Sequence, residues 1–216
     1  MKISPTLTEV KEIAKTGKYD ILPVSCEILS DFITPIEAMR ILQNVSTHCY
    51  LLESAQANEA WGRYTFLGYD PKLEINCIDG HMKLGKLSVE TENPSEYIRQ
   101  ILSEYKSPKF DYLPSFTGGL VGYFSYDYLG YKEKSIRGKA RDTEDFKDVD
   151  LMLFDKVIAF DNLCQKIILI ANMSLDAPET GYNKAIVELK QLRELLMHGE
   201  KKQNMGGKLL GDVTPL

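Results

Sequence analysis

The chain has 216 residues, of which 44% are hydrophobic and 26% are charged, an ordinary composition for a globular protein with a sizeable core. Its formal net charge of −5 gives no basic surface for nucleic acid or for an anionic membrane, so we expect neither as a partner. No apolar run is long enough to cross a bilayer, and the N-terminus has no apolar signal region.

The cysteines and histidines show no spacing typical of a metal site. The four cysteines lie far apart in strand-like runs without a C-x-x-C motif, and the three histidines have no ligand spacing with them. We therefore expect core thiols in a reducing compartment rather than a disulfide framework. We also expect no metal site.

The first part of the chain predicts a helix, a strand and a second helix. Ser4 and Pro5 suggest a helix with Ser4 as its N-cap. Residues 21–30 predict a strand, and Pro23 suggests that this strand starts late or lies at a sheet edge. Residues 34–37, T-P-I-E, form a capping box with proline at the first helical position.

Residues 49–54 and 63–67 predict two strands joined by a polar loop. The first strand ends in Glu53 and Ser54, and Arg63 opens the second. A carboxylate and a hydroxyl at a strand end, with a nearby guanidinium, can hold a small zwitterion. The alternative is a buried hairpin with a structural Glu53–Arg63 pair, and the chemistry of these residues alone favours this alternative.

The remaining patterns alternate strands and helices. They predict a hairpin over 72–89, a helix over 93–106, a glycine-kinked central strand and short aromatic helix over 116–131, an apolar hairpin over 151–171 and a helix over 178–198. About eight strands, mostly antiparallel, with four or five helices predict a layered α+β domain over residues 1–199. Residues 200–216 are polar and glycine-rich, which predicts a linker toward a further domain.

Three motifs resemble the N-terminal region of anthranilate synthase component I. They are L-L-E-S at 51–54, G-R-Y-T-F-L-G at 62–68 and F-T-G-G-L-V-G-Y-F-S-Y-D at 116–127. The resemblance extends over essentially the whole chain. It implies a cytoplasmic lyase that converts chorismate and ammonia to anthranilate and pyruvate, the first committed step of tryptophan synthesis. It also implies Mg²⁺ beside chorismate and a glutamine amidotransferase subunit that supplies the ammonia.

The resemblance further implies a feedback site for L-tryptophan in this region. Ser54 matches the signature serine of that site, Leu52 and Glu53 are its flanking positions, and Arg63 is added from its placement. The chorismate- and metal-binding residues of the family lie in a C-terminal catalytic domain, as does the second part of the tryptophan pocket. We therefore expect no catalytic residue and no bound metal in this chain, and no activity from it alone.

Two alternative functions remain compatible with the sequence. One is the N-terminal part of aminodeoxychorismate synthase component I, of folate synthesis, although L-L-E-S followed by G-R-Y-T-F-L-G favours anthranilate synthase. The other is a stand-alone tryptophan-binding or interaction module. Continuation of the gene into a chorismate-binding domain after Leu216 would exclude the module.

Overall fold

The computed structural model describes residues 1–53, 62–133, 135 and 146–202 of the chain. Within this part, eleven strands form two antiparallel sheets, accompanied by four α-helices and one 3-10 helix. The predicted layered α+β fold is therefore confirmed, although the prediction of about eight strands was too low. Ser54 and residues 203–216 of the predicted linker lie outside the described residues.

The elements have the following bounds in the described part of the chain. The strands are β1 Ile3–Ser4, β2 Ile21–Leu29, β3 Cys49–Leu52, β4 Tyr64–Tyr69, β5 Leu73–Ile78, β6 His81–Leu84, β7 Leu87–Glu90, β8 Gly119–Phe124, β9 Val149–Phe154, β10 Lys156–Asp161 and β11 Lys166–Ser174. The helices are α1 Leu7–Lys15, α2 Pro35–Val45, α3 Pro94–Ser103, α4 Pro178–His198 and the 3-10 helix Tyr126–Tyr131. The first sheet has the order β1-β2-β11-β10-β4-β3, and the second has the order β7-β6-β5-β9-β8.

Three differences from the sequence prediction account for the additional strands. β1 has only two residues, too few for a periodic signal. The predicted return strand over 81–89 is divided into β6 and β7 by a turn at Gly85, whose φ is +58°. The predicted apolar strand over 151–160 is divided at Asp155 into β9 and β10, which belong to different sheets.

The first sheet lies between two apolar layers. One face packs against α1, α2 and α4 through fully buried leucines such as Leu42, Leu169 and Leu189. On the other face, Val157 and Ile170 pack against Leu113 and neighbouring aromatic residues. The second sheet has its own core, to which α3 contributes. On the face opposite the helices, Tyr64, Phe66 and Phe116 are only partly buried, so part of this face reaches solvent.

The structure corrects the predicted start of the first helix. Thr6, not Ser4, is the N-cap of α1, and it forms a full capping box with Glu9. Ser4 instead pairs with β2. The capping box predicted for α2 is confirmed, since the hydroxyl of Thr34 accepts from the backbone N–H of Glu37 at 3.3 Å.

Pro23 lies at a locally open part of the first sheet. β2 begins at Ile21 and so does not start late, and Pro23 pairs with Asn172 of β11. On its other side, β1 reaches only Ser25 and Cys26. The proline therefore occupies a position where β1 places no partner opposite it, as a residue without a backbone N–H requires.

The glycine-rich stretch forms β8, which lies at the edge of the second sheet and not in its centre as predicted. Gly118, Gly119 and Gly122 have φ values of +147°, +136° and +152°. A Cβ at Gly122 would overlap the backbone carbonyl of Asp150 on β9. Glycine is required there because the two backbones approach closely, and the predicted short aromatic helix follows as the 3-10 helix.

We expect Gly122→Ala to lower the free energy of unfolding by about 3 kcal/mol, because the new Cβ meets backbone atoms and the φ is unfavourable for alanine. Gly17→Ala is the matched control, since Gly17 also has positive φ but has open space around it. It should cost about 1 kcal/mol. Urea unfolding of the three proteins checks this, and equal losses would contradict it.

Candidate functional site

The predicted site residues lie where β3 ends and β4 begins. Leu52 is the last residue of β3 and is 48% exposed, and Glu53 follows it in an exposed position. Ser54 lies outside the described residues. Arg63 comes directly before β4, which pairs with β3 in antiparallel register. Leu52, Glu53 and Arg63 therefore lie at one end of the first sheet.

Arg63 is bound by a carboxylate that the sequence did not indicate as its partner. Its Nε donates to Oδ1 of Asp161 at 3.1 Å, and its Nη2 donates to Oδ2 at 2.7 Å. Asp161 is 1% exposed, so its carboxylate charge is buried. Two parallel hydrogen bonds from the guanidinium of Arg63 stabilise that charge. Glu53 is not the ionic partner of Arg63, and the predicted Glu53–Arg63 pair is wrong.

Asp161 also organises the turn between β10 and β11. The same carboxylate accepts hydrogen bonds from the backbone N–H groups of Leu163 and Cys164, at 3.2 and 3.0 Å. Burial of this carboxyl opposes its ionisation, but the hydrogen bonds from Arg63 and Cys164 outweigh that effect and lower the pKa of Asp161 to about 2. Asp161 is therefore ionised at neutral pH, and it ties the turn to the start of β4.

Asn162 strengthens this connection. Its backbone N–H donates to the carbonyl of Arg63 at 2.9 Å, and its side-chain nitrogen donates to the hydroxyl of Thr65 at 3.3 Å. The sequence identified Asp161 and Asn162 only as turn residues, because their partners are about a hundred positions away along the chain. The one sequence feature that could have indicated a buried ion pair was an aspartate, Asp161, at the end of an apolar strand.

An aromatic surface lies beside Leu52 on the face of the first sheet opposite the three helices. Leu52 pairs with Phe66 across the two strands. Phe66 contacts Tyr64 and Phe116, with ring centroids 5.8 and 5.6 Å apart. Tyr50 lies on the same face and packs edge-on against Phe154. The end of β3 therefore offers an apolar wall suited to a flat, apolar group.

The second glycine of G-R-Y-T-F-L-G makes room for this surface. Gly68 pairs directly with Tyr50, and a Cβ at Gly68 would overlap the Tyr50 ring. The hydroxyl of Tyr50 is buried and has no hydrogen-bond partner within the described part of the chain. Burial raises the pKa of this phenol, so Tyr50 is neutral.

The described residues provide no metal-binding cluster. No group of three or more histidine, cysteine, aspartate or glutamate side chains within 1–53, 62–133, 135 and 146–202 is placed to hold a metal ion. No helix of this part is both long and apolar enough to cross a membrane.

Comparisons with known proteins point to one family. No family model matches the chain. Anthranilate synthase component 1 of Acetivibrio thermocellus is 34% identical over 198 residues, which are 89% of this chain and 39% of that protein. The protein of the same name from Pseudomonas aeruginosa is 36% identical over 196 residues, covering 87% and 39%. The crystal structure of anthranilate synthase component I from Streptococcus pneumoniae matches with a TM-score of 0.50 and 25% identity, over 77% of this chain and 36% of that chain.

The chain is similar to the N-terminal region of anthranilate synthase component I. It aligns with the N-terminal part of these relatives and spans about 39% of their length. In this chain, the motif G-R-Y-T-F-L-G contains Arg63, which pairs with Asp161, and the rings of Tyr64 and Phe66 in the aromatic surface. It also contains Gly68, which leaves room for the ring of Tyr50.

We expect Asp161→Asn to lower the free energy of unfolding by about 2 kcal/mol at neutral pH. A depressed carboxyl pKa stabilises the fold above the unfolded pKa of about 4, and this contribution is lost as pH falls toward 2. The difference between wild type and variant should therefore be constant from pH 7 to 5 and shrink below pH 4, as measured by urea unfolding.

Asp70→Asn is the control for this prediction. Asp70 pairs with Lys156 at 2.7 Å, but the side chain of Asp70 is 66% exposed. Because water solvates this carboxylate, its loss should cost clearly less than that of Asp161, at most about 1 kcal/mol. A cost for Asp161→Asn no larger than that of the control, or a cost that does not change with pH, would contradict the role assigned to Asp161.

Proposed function

We propose that this chain is the N-terminal, L-tryptophan-sensing region of an anthranilate synthase component I. The observation that carries the proposal is the 34–36% identity to such proteins over nearly the whole chain, aligned with their N-terminal part. The motif L-L-E-S, with Ser54 at its end, supplies the residues of the proposed site.

In this proposal the complete enzyme is a cytoplasmic lyase that converts chorismate and ammonia to anthranilate and pyruvate. A glutamine amidotransferase subunit is its partner and supplies the ammonia. The chain spans about 39% of its relatives, and its described residues offer no cluster suited to a metal ion. We therefore assign chorismate and Mg²⁺ to a C-terminal catalytic domain outside this chain.

The surface at the end of β3 has the chemistry that L-tryptophan requires. Leu52 and Phe66 offer an apolar wall for the indole, and the exposed carboxylate of Glu53 offers an acceptor for the ammonium group. We place Ser54 as a hydrogen-bonding partner of the amino acid. Arg63 stays a prediction as a ligand residue, and its pair with Asp161 favours a structural role.

Feedback inhibition follows if tryptophan lies between this wall and a second wall in the catalytic domain. Binding energy is then available only in the arrangement that brings both walls together around the ligand. If that arrangement is the inactive one, tryptophan shifts the population toward it. The size of the inhibition is limited by the difference in affinity between the two arrangements.

The chain alone should form no anthranilate from chorismate with ammonia and Mg²⁺. Anthranilate is fluorescent, so a fluorimetric assay with a complete family enzyme as positive control measures this directly. Product above background would contradict the assignment of catalysis to a separate domain.

In the full-length enzyme, Ser54→Ala should weaken tryptophan inhibition about fivefold to tenfold, the effect of losing one hydrogen bond to the ligand. The turnover of chorismate should be nearly unchanged. Ser88→Ala, an exposed serine on β7 in the other sheet, is the matched control and should leave both unchanged. Equal inhibition of wild type and Ser54→Ala would remove Ser54 from the site.

A further inference from the structure

A cavity lies away from the end of β3, between α1 and the segment that leads to β8. It has a volume of about 400 Å³, within the range of small-molecule sites. It is lined by Thr8, Glu9, Glu12 and Ile13 of α1, by Phe110 and Tyr112, and by Ser4 and Pro5. Neither the L-L-E-S motif nor the aromatic surface beside it contributes to this cavity.

The aromatic side of the cavity is ordered by ring stacking. The rings of Phe110 and Tyr112 are nearly parallel, with an interplanar angle of 25° and centroids 5.1 Å apart. Tyr112 is 45% exposed, so part of this surface is open to a ligand. Burial and the charge of Glu9 raise the pKa of Tyr112 to about 12, so the phenol is neutral and its ring keeps a negative face.

The helix side of the cavity carries two negative charges. The backbone N–H and the hydroxyl of Thr6 both donate to Oε2 of Glu9 at 2.7 Å, and they lower the pKa of Glu9. Among the residues that the structure describes, Glu12 pairs with Lys15 alone, one turn along the helix at 2.7 Å, and the side chains of the pair are 65–72% exposed. Such a pair is weak, so Glu12 can exchange Lys15 for another cation at little cost.

These features select a class of ligand. The residues that line the cavity include two carboxylates and two aromatic rings but no lysine or arginine. A metal ion does not fit, because no group of three or more suitable ligands exists in the described part of the chain. An alkyl cation fits, since its charge can meet Glu12 and an aromatic face while its carbon chain covers Ile13 and Pro5.

We propose that the cavity between α1 and the Phe110–Tyr112 stack binds a small organic cation, an alkylguanidinium or alkylammonium group. Carboxylate and aromatic face together recognise the charge, and the apolar surface of Ile13 and Pro5 accepts a short aliphatic chain. This site is separate from the proposed tryptophan site and does not depend on it.

The test is an NMR titration of this chain with n-butylguanidinium, with n-butylurea as the neutral ligand of the same shape. A ligand of this size in an open cavity should bind with a dissociation constant on the order of 1 mM. We expect saturable shifts of amides in α1 and around Phe110 and Tyr112 with the cation, and none with the urea. Equal binding of both ligands, or no saturable shift at these amides, would overturn the proposal.

Variants separate this site from general attraction to a protein of net charge −5. Glu12→Gln and Tyr112→Leu should each weaken binding about threefold, and the double variant about tenfold. Glu194→Gln makes the same change in net charge at an exposed glutamate on α4 and should leave the affinity unchanged. If Glu194→Gln weakens binding as much as Glu12→Gln, the cation is held by net charge alone and the site does not exist.

Discussion

The buried carboxylate of Asp161 is the constraint on which the first sheet depends at the end where β3 stops and β4 begins. It holds Arg63 at two points, and it accepts from two backbone N–H groups of the turn between β10 and β11. A buried charge with this many donors stabilises a single arrangement, and removal of one partner leaves the other unpaired. Within the described part, β3 pairs only with β4, and the Arg63–Asp161 ion pair holds the start of β4. The position of Leu52 at the end of β3 therefore depends on this ion pair.

Local signals predicted those parts of the structure that are decided locally. The capping box at Thr34 was recognised because all its partners lie within four residues, whereas Ser4 was mistaken for a cap because Thr6 follows so closely. One of the three additional strands was missed because an apolar run gives no sign of where the chain leaves one sheet for another, as it does between β9 and β10 at Asp155. The Arg63–Asp161 pair joins residues 98 positions apart, so no spacing rule predicts it.

The candidate site shows the same division. The L-L-E-S motif indicated the end of β3 as the functional end, and the structure shows there an exposed leucine beside aromatic rings. Periodicity placed Tyr50 in a strand but did not indicate that its ring packs over Gly68, where any larger residue would overlap it. Arg63 drew attention as a charge near the site, yet it contributes by fixing β4. Thus the motif indicates a candidate site, and long-range packing decides that Arg63 pairs with Asp161 while Leu52 stays exposed.

The most direct measurement is a calorimetric titration of L-tryptophan into the full-length enzyme and into this chain alone. If this region supplies one wall of a shared pocket, the full-length enzyme should bind tryptophan with defined stoichiometry. The chain alone should bind about 100-fold more weakly, because about half of the apolar contact with the indole is lost. Equal affinities would place the whole pocket within this chain, and absence of binding to the full-length enzyme would contradict the regulatory function itself.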